Sequence, residues 1–175
     1  MTGPGAAPVA IGEVKAFLRV GGSEEDALIA GFVRSAAASC EAFTGRVLIA
    51  RELEEMVAAN GAWVRLAAGP VRSIDSVAAV DEQGVRTALP ASDYAIDIDA
   101  NGTGWVRVAG RAGLRRVAVA FQAGVAADWN GVPEPLRQGI ARLAGHLYAA
   151  RGENEAPPPA SIAALWRPWR RVRLG

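Results

Sequence analysis

Apolar residues recur with two different periods along this chain, and the change of period divides it. Val14, Phe17 and Leu18 stand at i, i+3 and i+4, the spacing of one face of a short helix, which Gly21-Gly22 ends. Ser23 then reads as an N-cap. Behind it Glu24, Glu25 and Asp26 place carboxylates where the exposed N–H groups of a first helical turn favour negative charge. The stripe Leu28, Ile29, Phe32, Val33, Ala36, Cys40 and Phe43 keeps helical spacing as far as Thr44, and Gly45 supplies the stop. Residues 11–46 are therefore read as N-terminal helices. Met1 to Ala10, rich in Gly, Pro and Ala and without period, reads as a mobile or extended arm.

From Val47 the period drops to two. Val47 to Ile49, Leu53 to Val57, Trp63 to Leu66, Ile74 to Val80 and Val85 to Leu89 are short apolar or alternating runs separated by turn residues such as Asn60-Gly61 and Asp81-Glu82-Gln83-Gly84. Tyr94 to Ile98 and Trp105 to Val108 alternate on either side of Asn101-Gly102-Thr103-Gly104. Val117 to Phe121 is the last such run, closed by Gly124. Many short strands at regular spacing predict a small antiparallel sheet or sandwich over residues 47–124.

Helical spacing returns over residues 132–152. Val132-Pro133-Glu134-Pro135 opens a helix whose stripe is Leu136, Ile140, Leu143, Ala144, Leu147 and Tyr148, ending near Arg151-Gly152. Ala156-Pro157-Pro158-Pro159 then favours polyproline II, so residues 153–175 read as an extended segment.

Composition narrows the function classes. The chain has 175 residues, 51% hydrophobic, with 19 Lys+Arg against 18 Asp+Glu, which is one domain's length and lacks the basic excess of a dedicated nucleic-acid binder. With one Cys and one His it offers neither an internal disulfide nor a zinc site, and no metal or other cofactor is expected. No basic n-region or apolar h-region opens the chain, and no run approaches the roughly 18 apolar residues of a spanning helix, so synthesis in a cytoplasm without membrane insertion is expected.

Catalytic and ligand motifs are tested against plainer readings. Asp97-Ile98-Asp99-Ala100-Asn101-Gly102 copies the front of a calcium loop, yet position 12 is Val108 and the flanks are strands, so a hairpin turn is favoured. His146 lies at the edge of a helical stripe with no nucleophile or orienting acid near it in sequence, and Cys40 lies on a buried stripe. No Gly-x-Ser-x-Gly elbow, Walker loop or Gly-x-Gly-x-x-Gly is present. No catalytic residue is assigned, and the chain is read as not an enzyme.

The C-terminus is different. Four of the last nine residues are arginine, with Trp169 among them and Trp166 just before. Trp and Arg dominate binding hot spots because large rings bury area and guanidinium makes bidentate contacts. Trp166, Arg167, Trp169, Arg170, Arg171, Arg173 and Leu174 are therefore assigned to an arm that docks on another protein subunit. Docking back on its own domain is the main alternative, and a scaffold or membrane-surface role acting through the same tail is the rival class.

The order of these elements resembles head–tail adaptor (connector) proteins of long-tailed phages and phage-like gene transfer agents. The resemblance is carried by Glu13-Val14-Lys15-Ala16-Phe17-Leu18-Arg19-Val20, Glu24 to Ile29, Cys40 to Arg46 and Gly69-Pro70-Val71-Arg72-Ser73-Ile74-Asp75-Ser76-Val77. It continues in Val119 to Gly124, Val132 to Ile140, Leu147 to Arg151 and Arg170 to Leu174. It spans about residues 11–174; Val125 departs from it, standing where an aromatic residue is expected. It implies an α+β fold: a helical core of N-terminal helices and one C-terminal helix, with an inserted antiparallel β region and an extended C-terminal arm. It also implies a virion structural protein at the capsid vertex of a phage or phage-like particle. There such adaptors form a ring, typically of twelve copies, beneath the portal protein. The ring extends the DNA channel without sequence-specific binding and presents a platform to the next head-completion or tail protein. The arm of such adaptors engages the portal or a neighbouring subunit. Deleting residues 153–175 is then expected to leave a folded chain that no longer attaches to portal-bearing capsids.

Overall fold

The computed structural model of the chain describes residues 8–110, 113–150 and 159–171. Its fold is α+β, and the contacts of the described residues divide it into a helical unit, drawn from residues 8–49, 126–150 and 159–171, and a β unit, drawn from 50–110 and 113–125.

Among the described residues, four helices make the helical unit: α1 (Pro8–Leu18), α2 (Asp26–Thr44), α3 (Glu134–Ala149) and α4 (Ala160–Trp166). The apolar stripes read from the sequence meet in its core. Ile29, Val33, Ala36 and Cys40 of α2 pack with Leu136, Ile140 and Leu143 of α3 and with Val14 of α1. Two motifs distant in sequence are tied by Arg137, whose guanidinium lies 3.4 Å from Glu13 and also bonds Glu134, holding the Glu134 carboxyl below its ordinary range.

The start of α2 differs from the expectation. Ser23 is not its N-cap: the helix begins at Asp26, Glu25 holds the cap position without a side-chain capping bond, and the Ser23 carbonyl accepts from the Asp26 N–H at 3.2 Å. Tertiary partners outcompete the local cap. Lys15 Nζ bonds the Gly22 carbonyl and, at 2.5 Å, Asp26, while the Tyr148 hydroxyl donates to the Glu25 carboxylate. At the other end Gly45 adopts φ 67° and its N–H returns to the Glu41 carbonyl at 2.8 Å, the left-handed stop that a residue without Cβ allows.

Val47 to Ile49, expected as a strand, forms a single parallel bridge between Ile49 and Ala126. Val47 and Leu48 are buried, and the backbone of Leu48 is satisfied by the Glu41 carboxylate at 2.8 Å and by the Ala126 N–H at 3.0 Å, so a ladder is not needed.

Among the described residues, seven strands make the β unit: β1 (Arg51–Ala58), β2 (Trp63–Arg65), β3 (Val71–Val80), β4 (Arg86–Ala88), β5 (Tyr94–Ile98), β6 (Gly104–Val108) and β7 (Arg116–Ala123). They form two antiparallel sheets, ordered β1-β7-β3-β4 and β2-β6-β5. The central β7 buries Val117, Val119, Phe121 and Ala123, with Phe121 facing Leu53 on one neighbour and Ile74 on the other. Two irregularities in β3 push Arg72 and Asp75 out of register with β7. The first is used: Arg72 Nε donates to the Gly124 carbonyl at 2.8 Å and the guanidinium reaches Val125 O at 3.2 Å, while the Gly124 N–H donates to Pro70 O at 2.9 Å.

The buried faces of the two sheets meet at Gly104. A Cβ there would lie 2.8 Å from Leu66 and 2.9 Å from Val71, so only glycine lets the sheets close. Gly102, at φ 70°, makes a similar approach, 2.6 Å from the Pro70 side chain, and its carbonyl accepts the Val71 N–H at 2.7 Å. The Asn101-Gly102-Thr103-Gly104 glycines thus serve close packing.

Candidate interaction site

The C-terminal segment read as an extended arm over 153–175 is helical across its described part. After Pro159, α4 runs to Trp166 and a 3-10 turn, Arg167–Trp169, follows. The apolar residues explain why. Ile162 and Trp166, four apart on one face, are 2% and 4% exposed and belong to the core of the helical unit. Within the chain, this segment packs on its own unit.

Trp166 is therefore an anchor rather than a free hot spot. Its ring lies over Gly139, where a Cβ would sit 2.1 Å from Nε1, and tilts at 53° against Phe43 with centroids 5.9 Å apart. Nε1 donates to the Leu136 carbonyl at 3.4 Å. Trp169 is half-buried, and its carbonyl accepts from Arg46 Nε at 2.8 Å. The Arg171 N–H closes the strap onto α2 by donating to Thr44 O at 2.8 Å. What remains outward is cationic: Arg167 is exposed, and Arg170 is exposed with its guanidinium 5.8 Å from the Phe43 ring centroid. Arg173 and Leu174 lie outside the described residues. The signal that could have shown this packing was Gly139 on α3, a notch in a helix face otherwise lined by Leu and Ile.

The other chemically suggestive residues have structural surroundings. Cys40 is fully buried, and that burial, with a smaller effect of the Glu41 charge, pushes its thiol up to about 12, which keeps it protonated and unreactive. His146 lies half-buried in the last turn of α3. Among the described residues no group of three or more His, Cys, Asp or Glu is placed to hold a metal ion, and no helix is long and apolar enough to cross a membrane.

Asp99 works in the β5–β6 turn. Its Oδ1 accepts from the N–H groups of Asn101 and Thr103, each at 2.8 Å. Those bonds, Thr103's first, hold its carboxyl below the ordinary value of 3.8. Because the folded-state value is depressed, the stabilisation is present above pH 3.8 and lost as pH falls through the lower folded value. In an NMR titration the Asn101 and Thr103 amide resonances should therefore move together with a midpoint below 3.8, and the shift should be missing from an Asp99→Asn chain.

No family model and no curated protein matches the sequence. Among solved structures, a chain of "Neck of empty GTA particle computed with C6 symmetry" matches at TM-score 0.78 and 28% identity, over 98% of this chain and 94% of that one. Chains of "Virion of native gene transfer agent (GTA) particle" and "Neck of native GTA particle computed with C12 symmetry" match at TM-scores 0.74 and 0.73 with 28% and 27% identity, over the same shares. Over nearly its whole length, helical unit and β unit together, the chain is thus a structural relative of a neck component of gene transfer agent particles.

Proposed function

We propose that the chain is a non-catalytic head–tail adaptor of a phage-like particle, set in a ring beneath the portal at the capsid vertex. The ring extends the DNA channel and presents a platform to the next head-completion or tail protein. The observation that carries this reading is the full-length likeness to chains from gene transfer agent necks computed with C6 and C12 symmetry. Three features of the chain fit it. The candidate reactive groups, Cys40 and Asp99, are occupied by burial and by turn hydrogen bonds. The C-terminal strap keeps the guanidinium groups of Arg167 and Arg170 outward. The motifs that carry the resemblance also meet in space, Glu13 with Arg137 and Arg72 with Gly124.

The strap's contribution is narrower than the seven-residue hot spot read from the sequence. Arg167 and Arg170 can pair with carboxylates of the portal or of a neighbouring subunit, while Trp166 and Trp169 hold the backbone from which they project. Burial of Trp166 also removes the apolar half of a membrane-surface reading, which needs a ring free to enter the headgroup region.

Electron microscopy of portal-bearing particles completed with purified chain tests the reading: a ring at the portal vertex supports it, and particles that never acquire one reject it. An Arg167→Glu/Arg170→Glu chain should keep the wild-type melting temperature within a few degrees, because both side chains are exposed, and should lose attachment by roughly ten-fold or more. Unchanged attachment would remove the strap arginines from the interface.

A further inference from the structure

The outer face of the three-stranded sheet carries an unusual set of side chains. Strand pairing sets Trp63 opposite Arg107 and Arg65 opposite Trp105, with Ala95 and Asp97 on the outer strand beside them. Alternation puts these six residues on the face opposite Val64 and Val106, and Val106, 1% exposed, marks the buried side. The result is a checkerboard of two indoles and two guanidiniums. Trp63 is 43% exposed with the Arg107 guanidinium 5.1 Å from its ring centroid, Arg65 and Arg107 are exposed, and Trp105 is half-buried. Neither the fold nor the strap accounts for it. Large rings beside arginine on a solvent face have the composition of a binding hot spot.

The chain itself carries the complement. On β1, the edge strand of the other sheet, Glu52, Glu54 and Met56 alternate outward and are all exposed, Met56 by 46%. Residues two apart on a strand stand about 7 Å apart, and diagonal neighbours on paired strands, as Arg65 and Arg107 are, stand about 7–8 Å apart. Two carboxylates and two guanidiniums thus share one spacing. Met56 continues the acidic row as Trp63 continues the basic one, and a thioether packs well on an indole. Glu54 also bonds Arg86 through Oε2, which leaves Oε1 to accept from a second cation.

We infer that the Trp63/Arg65/Trp105/Arg107 face docks on the Glu52/Glu54/Met56 row of a second copy of this chain, and that this is a subunit contact of the ring. The inference rests on the ring reading above and names its contact. Because the two sheets bury their facing surfaces against each other at Gly104, the two patches look away from one another. A contact between them is therefore head-to-tail, the kind that repeats around a closed ring. Single-stranded nucleic acid is the less fitting occupant: Arg107 already lies against the Trp63 ring, which takes that ring face from a stacking base.

Charge reversal of the full chain tests this directly. Arg65→Glu/Arg107→Glu and Glu52→Arg/Glu54→Arg chains should each fold, by circular dichroism, and each self-associate roughly a hundred-fold more weakly than wild type in sedimentation velocity. Each should also fail to form a ring on portal-bearing particles. An equimolar mixture of the two should recover assembly, because every acidic face then meets a basic row and every basic face an acidic one. The chain with all four changes should recover it alone. Rings formed by either double variant by itself would overturn the contact while leaving the ring reading intact. A wild-type chain that forms no ring free or on particles would overturn both. Binding of oligothymidylate by wild type that Arg107→Glu abolishes, with assembly unchanged, would reassign the face to nucleic acid.

Discussion

Trp166→Ala should destabilise the helical unit by about 3–5 kcal/mol, the range for removing a fully packed aromatic side chain, and should release the whole C-terminal strap. The ring closes the notch at Gly139, touches Phe43 and bonds Leu136 O, so its loss opens a cavity and orphans a docking edge at once. Thermal melting followed by circular dichroism measures the loss. A complementary change separates anchor from cavity. Gly139→Ala puts a methyl 2.1 Å from Trp166 Nε1, a distance at which the ring has to leave, so it should free the strap without deleting any atom of it. Limited proteolysis with trypsin reads both: cleavage after Arg170, slow in wild type, should accelerate in the two variants alike. A Trp166→Ala chain that melts with wild type would mean that the strap is not held as described. The same geometry revises the expected result of deleting residues 153–175. That truncation strips Ile162 and Trp166 from the core, so lost attachment would no longer isolate an interaction, whereas the exposed Arg167 and Arg170 can be changed without disturbing it.

Phe121→Ala should have a comparable effect in the β unit, again about 3–5 kcal/mol. Phe121 is fully buried on the central strand of the larger sheet, between Leu53 and Ile74, so neither neighbour can close the space without breaking its own pairing with β7. Phe121→Leu, which keeps most of the volume, should recover well over half of the loss in denaturant titration. Equal losses for Ala and Leu would show that the aromatic shape, rather than the filled volume, holds the sheet.

The helices and strands were legible wherever burial is one-sided. Along α2 the positions Ile29, Val33, Ala36 and Cys40 face one core, and in β6 Gly104, Val106 and Val108 are buried while Trp105 and Arg107 between them are not, so periodicity reports them directly. It failed where a backbone segment is satisfied by distant groups. Ser23 had the right chemistry for a cap and lost it to Lys15, Asp26 and Tyr148; Val47 to Ile49 had strand composition and found Glu41 and one bridge in place of a ladder. The strap failed for a third reason. Pro157 and Pro158 lie outside the described residues, but Ser161-Ile162-Ala163-Ala164-Leu165-Trp166 beyond them is helix-compatible, and its destination depended on the notch at Gly139, which lies on another helix far away in sequence. The interaction residues were legible by type, as Trp and Arg, and not by exposure: Trp166 is inside, whereas Trp63 and Arg107, passed over as ordinary strand residues, face solvent.

Gly145 makes a second notch on α3, where a Cβ would lie 2.9 Å from the Phe17 ring of α1. Six residues separate it from Gly139, about 9 Å along the helix axis. One rod in the helical unit therefore meets a sealed aromatic ring from α4, Trp166, and the edge of a largely exposed one from α1, Phe17. A pull on α4 or on α1 is borne by the same helix.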